Sequence, residues 1–545
     1  MSDIFVPIGG SRSDCMRPGV TVTSPAPEAP FDEAPEQPRA RRTWVFAALG
    51  LGVLFVLGTR AAWFFTIDDA YITFRYSDNF AAGHGPVWNV GEDPIEGFTN
   101  FLWMLWHTPF ALLGLDLPLV AKLTSFAAGA AALVLLVRYC HQRYGLVSAL
   151  VAGGAYVVFI PTYFHITSGL ETVAFAALLL RAVIVGLRAI NGQPVRVWEP
   201  PLLLVLAGML RPEGVLAALP AFAAWLWINR SDRRTWLWTA GAAVVGGGYF
   251  AWRWSFYGHM FPNTFYVKFG NIDAGQIWLE NIIPILLPLL LCTVALLIRR
   301  DTRWSGVVLC ATVGATYLTY VVSGPTMDYL YRFAYHAFPV LCLAAGLVVG
   351  PFRRRWLATG IGAVAVGWTA VTGAQTPDLP LIANYGPDLA RTHEPIGRGL
   401  ANADVPEDRR TVALHDAGAI PYYSRWNTID FIGLNDEPIA HGADVTRRVM
   451  DAHPTVIVVR SYSPPPPVTA YGLDVSRATK AYEHIHTSQM RDGYYKHIYV
   501  LPEYADEVRN TVIPEIDKAQ ATYDPGRYED TIDRWLDRLR ADLPW

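Results

Sequence analysis

Apolar segments recur along this chain at 43–65, 116–138, 146–163, 169–188, 199–210, 213–228, 235–254, 280–298, 304–323, 332–351 and 356–373, about eleven in all. Inside a bilayer every backbone N–H and C=O must find its partner within the protein, so segments of this length cross as helices. The composition agrees: of 545 residues 52% are apolar and 17% charged, less charge than an ordinary soluble domain carries. Segments 199–210 and 213–228 are the weakest, because Pro, Arg211 and Glu213 interrupt them. Residues 1–42 are rich in Pro, Ser, Glu and Asp and hold too few apolar side chains to bury a core, which predicts a disordered cytoplasmic tail. The first apolar run begins too far along for a cleavable signal and is long enough to span, so it reads as a signal anchor.

Basic residues fall in alternate connections: Arg39 to Arg42, Arg138 with Arg143, Arg188 with Arg196, Arg230 to Arg234, Arg299 to Arg303, and Arg353 to Arg355. By the positive-inside rule these connections and the N-terminus are cytoplasmic, and every second connection is external. The parity requires residues 97–114, GFTNFLWMLWHTPFALLG, to lie along the interface, a setting that suits Trp103 and Trp106. Residues 43–375 are therefore expected to form a membrane domain with an external loop at 66–115. Past residue 376 charge rises, and short β-rich runs at 410–416, 428–433, 455–461 and 496–502 alternate with helical stretches. This predicts an extracytoplasmic α/β domain over 376–545. Its end, about 505–542, reads as helix with a break at Pro525-Gly526.

The external connections hold most of the polar chemistry. The densest is IDDAYITFRYSDNFAAGHGPVWNVGEDPIEGFTN at 67–100, followed by HITSGLE (165–171), RPEG (211–214), YGHMFPNTFYVKFG (257–270) and SGPTMDYLYRF (323–333). An ionisable group at membrane depth costs several kcal/mol, so Asp68, Asp69, Arg75, Glu171, Arg211, Glu213, Lys268 and Arg332 need partners or a wet cavity. If 68–80 is helical, Asp68, Ile72 and Arg75 share one face, and a carboxylate and a guanidinium would look into one cavity. The competing reading makes Asp68-Asp69 a helix cap. A net charge of -3 without a basic tract argues against a nucleic-acid partner. The five cysteines, Cys15, Cys140, Cys292, Cys310 and Cys342, show no CxxC or Cys/His metal spacing, so neither a disulfide framework nor a zinc site is indicated. Asp416-Ala417-Gly418-Ala419 follows a β-run as a phosphate turn would, but GxGxxG is absent and the turn is read as shaping an acceptor cleft. Tyr422, Tyr423, Trp426, Tyr471, Tyr494 and Tyr495 either stack on sugar rings or pack in the interior.

The stretches DDAYITFRY, AAGHGPVWNVGE, IEGFTN, TSGLE, RPEG, FPNTFYVK, HDAGAIPYYS and IDFIGLND together resemble polytopic bacterial glycosyltransferases of the type C fold, which use polyprenyl-phosphate sugars. Within that group the chain looks most like the mycobacterial cell-wall arabinofuranosyltransferases of the terminal type. The resemblance runs through nearly all of the chain past residue 43 and departs at EGFTN and at Ala70-Tyr71. It implies transfer of a sugar, arabinofuranose, from a polyprenyl-phosphate donor to a cell-envelope glycan on the external face of the bacterial plasma membrane. It also maps the acidic pair that the superfamily needs for catalysis onto Asp68 and Asp69.

A phosphate leaving group needs cations, and the candidates are Arg75, Arg211, Lys268 and Arg332. Glu96, Asn100, Glu171, Glu213, Asn263 and His336 are expected to bind substrate. An aspartate would act as a base if configuration inverts, or stabilise the cationic sugar carbon if it is retained. The residue types leave both open, and they leave open Mg²⁺ or Ca²⁺ on the paired carboxylates; no cofactor is required. The rival class is a transporter or flippase of lipid-linked sugars, although the sequence shows neither internal repeats nor charges near the middle of the spans. Another pentose or a hexose also stays open.

Overall fold

The computed structural model describes residues 38–352, 354–376 and 379–522. Most of the expected tail, 1–37, and the expected break at Pro525-Gly526 lie outside them; residues 38–42 already belong to the first helix. The chain divides at Phe46 into two units, and the architecture below belongs to the second, Ala47–Trp545.

Helix α1 (Pro38–Ala61) leads to α2 (Asp68–Ala81) and α3 (Phe101–Leu112). Next come α4 (Leu117–Tyr144), α5 (Leu146–Val158), α6 (Pro161–Thr167), α7 (Thr172–Ile190), α8 (Glu199–Leu210), α9 (Gly214–Asn229) and α10 (Arg233–Tyr257). A short α11 (Asn263–Lys268) precedes α12 (Ile272–Ala295) and α13 (Arg303–Ser323), and α14 (Arg332–Tyr335), α15 (Phe338–Val349) and α16 (Arg355–Ala374) complete the helical part. Among the described residues six helices are long and apolar enough to cross a bilayer: Trp44–Ala61 of α1, α4, α7, α12, α13 and α16. Two bent pairs, α5 with α6 at 66° and Tyr329–Tyr335 with α15 at 63°, raise this to eight. This is a multi-pass membrane protein.

Contacts constrain the path further, because segments that touch lie on one side of the membrane and the passes between them are even in number. Asp68 bonds to Ala419. With six or eight passes in total, five or seven would lie between those residues, both odd. Glu171 and Arg211 pair at 2.5 Å although α7 and α8 separate them in sequence, and Arg211 and Lys268 line one cavity although α9 and α10 do. Six or eight passes do not meet that condition, and the shorter apolar helices α8 and α9, of 12 and 16 residues, lie along the path between the segments that touch. At 12 residues, α3 is about 18 Å long and too short to cross. Trp106 is 49% exposed on it, whereas Trp103, expected at the interface, is buried and donates its indole N–H to the Gly169 carbonyl at 3.0 Å.

The remaining chain runs α17 (Leu379–Ala383), α18 (Tyr385–Arg391), α19 (His393–Asn402), β1 (Thr411–Leu414), α20 (Ala419–Ser424), β2 (Asn427–Asp430), α21 (Glu437–Ala440) and α22 (Val445–Ala452). It continues through β3 (Val456–Ser461), β4 (Thr469–Ala470), β5 (Leu473–Asp474), α23 (Val475–Ala478), β6 (Glu483–Arg491), β7 (Tyr494–Val500) and α24 (Ala505–Thr522). The main sheet has the order β2-β1-β3-β7-β6, parallel among the first three and antiparallel at β7 and β6. Strand β3 reads VIVV because both sheet faces are covered. Val456 and Val458 join one core with Leu414, Ile498 and Val512, while Ile457 and Val459 join another with Ile429, Val449 and Leu473. The first of these cores also takes in Ile72, Tyr76, Trp88 and Phe98, so the sheet buries one face against the loop that follows α1.

The alternation of basic connections in the sequence makes a prediction. A reporter fused after residue 376 should be external and one fused at residue 300 cytoplasmic; the reverse at either site would break the pass count.

Candidate active site

Helix α2 opens with Asp68 and Asp69 in its first turn, where the free backbone N–H groups favour negative charge. Neighbouring side chains on a helix point about 100° apart, so the two aspartates face different surroundings. Asp68 turns toward the sheet: its Oδ1 accepts the Ala419 N–H at 2.7 Å and its Oδ2 the Gly418 N–H at 3.1 Å. Those are the leading N–H groups of α20, so this carboxylate caps a helix 350 residues away. Arg75, on the same face of α2, grips the other end of α20. Its guanidinium donates to the carbonyls of Pro421 at 2.7 Å, Trp426 at 2.9 Å and Trp88 at 2.8 Å, and to Asn89 Oδ1 at 3.1 Å.

Two expectations are corrected here. The shared face of Asp68 and Arg75 exists, but neither residue lines the cavity that Asp69 faces, and Arg75 has its donors committed to protein oxygens instead of a phosphate. The turn Asp416-Ala417-Gly418-Ala419 does present N–H groups to an anion, and the anion is the Asp68 carboxylate. Gly418 is required at this approach, since a Cβ there would lie 2.1 Å from the Asp68 carbonyl oxygen.

Asp69 faces a cavity of about 370 Å³ whose walls also include Asn100, Glu171, Arg211, Glu213, Lys268 and Arg332. Glu171 stands at the start of α7, Arg211 and Glu213 in the break between α8 and α9, Lys268 at the end of α11 and Arg332 at the start of α14. Arg211 is clamped, 2.5 Å from Glu171 and 2.5 Å from Glu213, and Asn100 donates to the second oxygen of Glu171 at 2.7 Å. Arg332 is held loosely. Its nearest carboxylate oxygens are those of Glu171 at 3.8 Å and Asp69 at 3.9 Å, beyond hydrogen-bond reach, and its buried Nε has no partner among the described residues. Lys268 makes no hydrogen bond or ion pair to any described residue; burial pushes its ammonium below the ordinary lysine range and Asp69 opposes this. The cavity thus pairs three carboxylates with three cations and leaves two of the cations with free donors.

The backbone that delivers Arg332 is strained. Met327, Leu330 and Tyr331 have φ of 62°, 51° and 60°, the left-handed region that costs a non-glycine residue about 1–2 kcal/mol. Asp328 pins this segment by accepting the Phe333 N–H at 2.8 Å and the Trp278 indole N–H at 2.7 Å. On another wall Phe261, Phe265 and Phe269 stack at 4.3 and 4.2 Å between ring centres, with Phe261 37% and Phe269 46% exposed.

The remaining expected substrate residues sit around the cavity, not in its wall. Glu96 pairs with Arg253 at 2.9 Å and accepts the Asn263 N–H on its carbonyl at 3.0 Å, bracing the root of α11. His336 Nδ1 lies 2.6 Å from the Tyr320 hydroxyl, which donates to Glu213 at 2.6 Å; the single phenolic proton is then used, so Nδ1 of His336 is the protonated nitrogen. Tyr320 and the phenylalanine ladder were not singled out from sequence, although the four-residue spacing in FPNTFYVKF carried the ladder. Of the aromatic candidates, Tyr422 and Tyr423 pack on Tyr71 at 5.4 and 5.6 Å, and Trp426 and Tyr494 are buried, so packing is their role. The acid pair splits between two surroundings, and among the described residues it belongs to no cluster of three metal-type ligands.

Behind Asp68 lies Asp416, which accepts from Lys496 and Tyr494 and sits 3.2 Å from His393 and 3.0 Å from His415. Burial would raise Asp416, but His415 and Lys496 hold it well below the usual carboxylate range. Burial, with the Asp416 charge behind it, pushes Asp68 up to about 7. Burial takes His393 and His415 down to about 4, leaving both neutral at pH 7.

The family described as Domain of unknown function (DUF8728) matches residues 387–508, the sheet-bearing part. No curated protein matches the chain. Among solved structures, ArnT from Cupriavidus metallidurans bound to undecaprenyl phosphate is similar over 84% of this chain and 98% of its own, with a TM-score of 0.57 at 13% identity. The same enzyme in the apo state gives 0.55 at 14% identity over 83% and 98%. The arabinofuranosyltransferase AftD from Mycobacteria is similar over 84% of this chain but only 40% of its own, with a TM-score of 0.50 at 12% identity. The chain has the type C glycosyltransferase fold that the sequence resemblance implied.

The raised Asp68 pKa has a measurable sign. The unfolded group ionises near 3.8 and the folded one near 7, so its contribution to stability is greatest below about pH 4 and declines as pH rises to 7. Asp68→Asn cannot ionise. Its melting temperature in detergent should therefore gain on the parent protein between pH 5 and pH 8, and a pH-independent difference would contradict the assignment. Gly418→Ala should lower the melting temperature at both pH values.

Proposed function

We propose that this chain is a membrane glycosyltransferase that moves a sugar, arabinofuranose on the sequence resemblance, from a polyprenyl-phosphate donor to a cell-envelope glycan at the external face of the bacterial plasma membrane. The carrying observation is that Asp69 shares one cavity with two cations, Arg332 and Lys268, whose donors are uncommitted. The fold it shares with ArnT, whose structure holds undecaprenyl phosphate, supports the reading.

The donor is a phosphodiester with one negative charge. Arg332 engages its free oxygens through a planar fork and Lys268 as a point charge. As the bond from the anomeric carbon to the phosphate oxygen breaks, the departing polyprenyl phosphate gains negative charge, and the same two cations hold it more strongly in the transition state than in the ground state. The acceptor oxygen bonds to the anomeric carbon, and its proton passes to Asp69 if configuration inverts; with retention Asp69 instead stabilises positive charge on that carbon and the departing phosphate oxygen takes the proton. Asp68 acts as a positioning residue, since its bonds to α20 fix α2 and so the direction of Asp69. Arg211 occupies Glu171 and Glu213, which keeps Arg332 available. The prenyl chain follows Phe261, Phe265 and Phe269 toward the membrane lipid.

Asp69→Asn should lower transfer by on the order of a hundredfold while leaving donor binding nearly intact, because the amide keeps the shape and loses the charge and basicity. Arg332→Ala and Lys268→Ala should each weaken donor binding by about ten- to a hundredfold, the effect of a charge-assisted contact of about 1.5–3 kcal/mol. Arg332→Lys should recover part of that loss. If purified protein forms no glycoside from a polyprenyl-phosphate arabinose and a glycan, yet moves the lipid between leaflets, the flippase reading replaces this one.

A further inference from the structure

Apart from that cavity, His259, Glu437 and His441 bring one ligand atom each to within 4.8 Å of one another. They come from two parts of the chain that are far apart in sequence. His259 follows Gly258, whose left-handed φ of 76° ends α10, and Glu437 and His441 are four apart along the turn of α21, on one face. His259 Nε2 lies 2.6 Å from Glu437 Oε1, and the His259 and His441 rings are 5.0 Å apart between centres. Tyr266 of α11 packs its ring 4.6 Å from His441. Two imidazoles at this separation repel when both are protonated, whereas two neutral ones each offer a lone pair. The cluster opens on a cavity of about 640 Å³ that Glu92 and Asp93 also line. Arg448 is the one lysine or arginine among the lining residues, and it is paired with Asp436 at 3.1 Å. The local field therefore favours a cation.

We propose that His259, Glu437 and His441 form a site for one transition-metal ion of the Zn²⁺ class, with a fourth position open to water. Two imidazole nitrogens and one carboxylate suit zinc and its neighbours, while Mg²⁺ and Ca²⁺ take oxygen ligands. A tetrahedral ion at about 2.0–2.1 Å from each donor sets the donors roughly 3.4 Å apart. His259 and Glu437 are part-exposed and His441 is exposed, so side-chain rotation closes the present spacing. The ion ties the loop between α10 and α12 to α21, and that loop carries Lys268 with the three phenylalanines. The consequence for donor binding rests on the function proposed above; the ion site does not.

The test uses the untagged full-length protein in detergent, stripped with a chelator and titrated with Zn²⁺ against a chromophoric competitor, with Co²⁺ as the spectroscopic probe. The expected result is one equivalent bound in the micromolar range or tighter, with visible Co²⁺ bands. His441→Ala and Glu437→Gln should each weaken binding at least tenfold. His84→Ala, an exposed histidine outside the cluster, should leave it unchanged. Because His441 is exposed, its replacement leaves the fold intact. Hydrogen exchange over residues 258–270 should slow with Zn²⁺ in the parent protein and not in His441→Ala. Absence of saturable Zn²⁺ binding, or an affinity in the cluster variants equal to that of the parent protein, overturns the site. Binding without slowed exchange overturns the tie between the loop and α21.

Discussion

A carboxylate and a guanidinium on one face of α2 hold the two ends of α20, and the orientation of the loop after α1 follows from that grip. Asp68 meets the N-terminal N–H groups of α20 and Arg75 meets carbonyls at and beyond its other end, each charge matching the helix dipole. Both charges are buried, so their value depends on full partnering: a buried ion whose partners are removed costs several kcal/mol. The sheet-bearing part is thereby fused to the loop through a common core, with Ile72 and Trp88 among sheet residues such as Val458 and Ile498. Rotating α2 would break that core and swing Asp69 out of the cavity at the same time.

The cavity shows how a chain can keep one arginine free among several acids. Glu171 and Glu213 would both compete for Arg332 if Arg211 did not take them at 2.5 Å. The left-handed residues before Arg332 have a similar effect, since they hold its guanidinium at 3.8 and 3.9 Å from the nearest carboxylates rather than in contact. A charge kept short of its partners gains most from an incoming anion.

Much of this was legible before any coordinates. The apolar runs gave the helices, the positions of Glu171, Arg211, Lys268 and Arg332 at their ends gave a shared side, and the β-rich run at 455–461 gave a strand. The adjacent aspartates could be separated by helix geometry, but not told apart, because what Asp68 meets is set by residues some 350 positions away. Arg75 was misread for the same reason: its partners Pro421 and Trp426 leave no local mark on the sequence around it. Strand β6, EHIHTSQMR, passed unnoticed because it lies at the sheet edge and is largely polar, the usual guard against edge pairing. Trp103 shows the limit of a compositional rule, since an indole suited to the interface is instead spent on the Gly169 carbonyl.

The ladder of Phe261, Phe265 and Phe269 is short: three rings with centres 4.3 and 4.2 Å apart. On the proposed function, only the first few isoprene units of a carrier touch it, and the rest of the tail lies in the same hydrocarbon whether the head group is bound or free. Tail length then contributes almost nothing to discrimination. On that proposal carriers that differ by many isoprene units would be equivalent substrates, and selectivity would fall on the sugar and the phosphate alone.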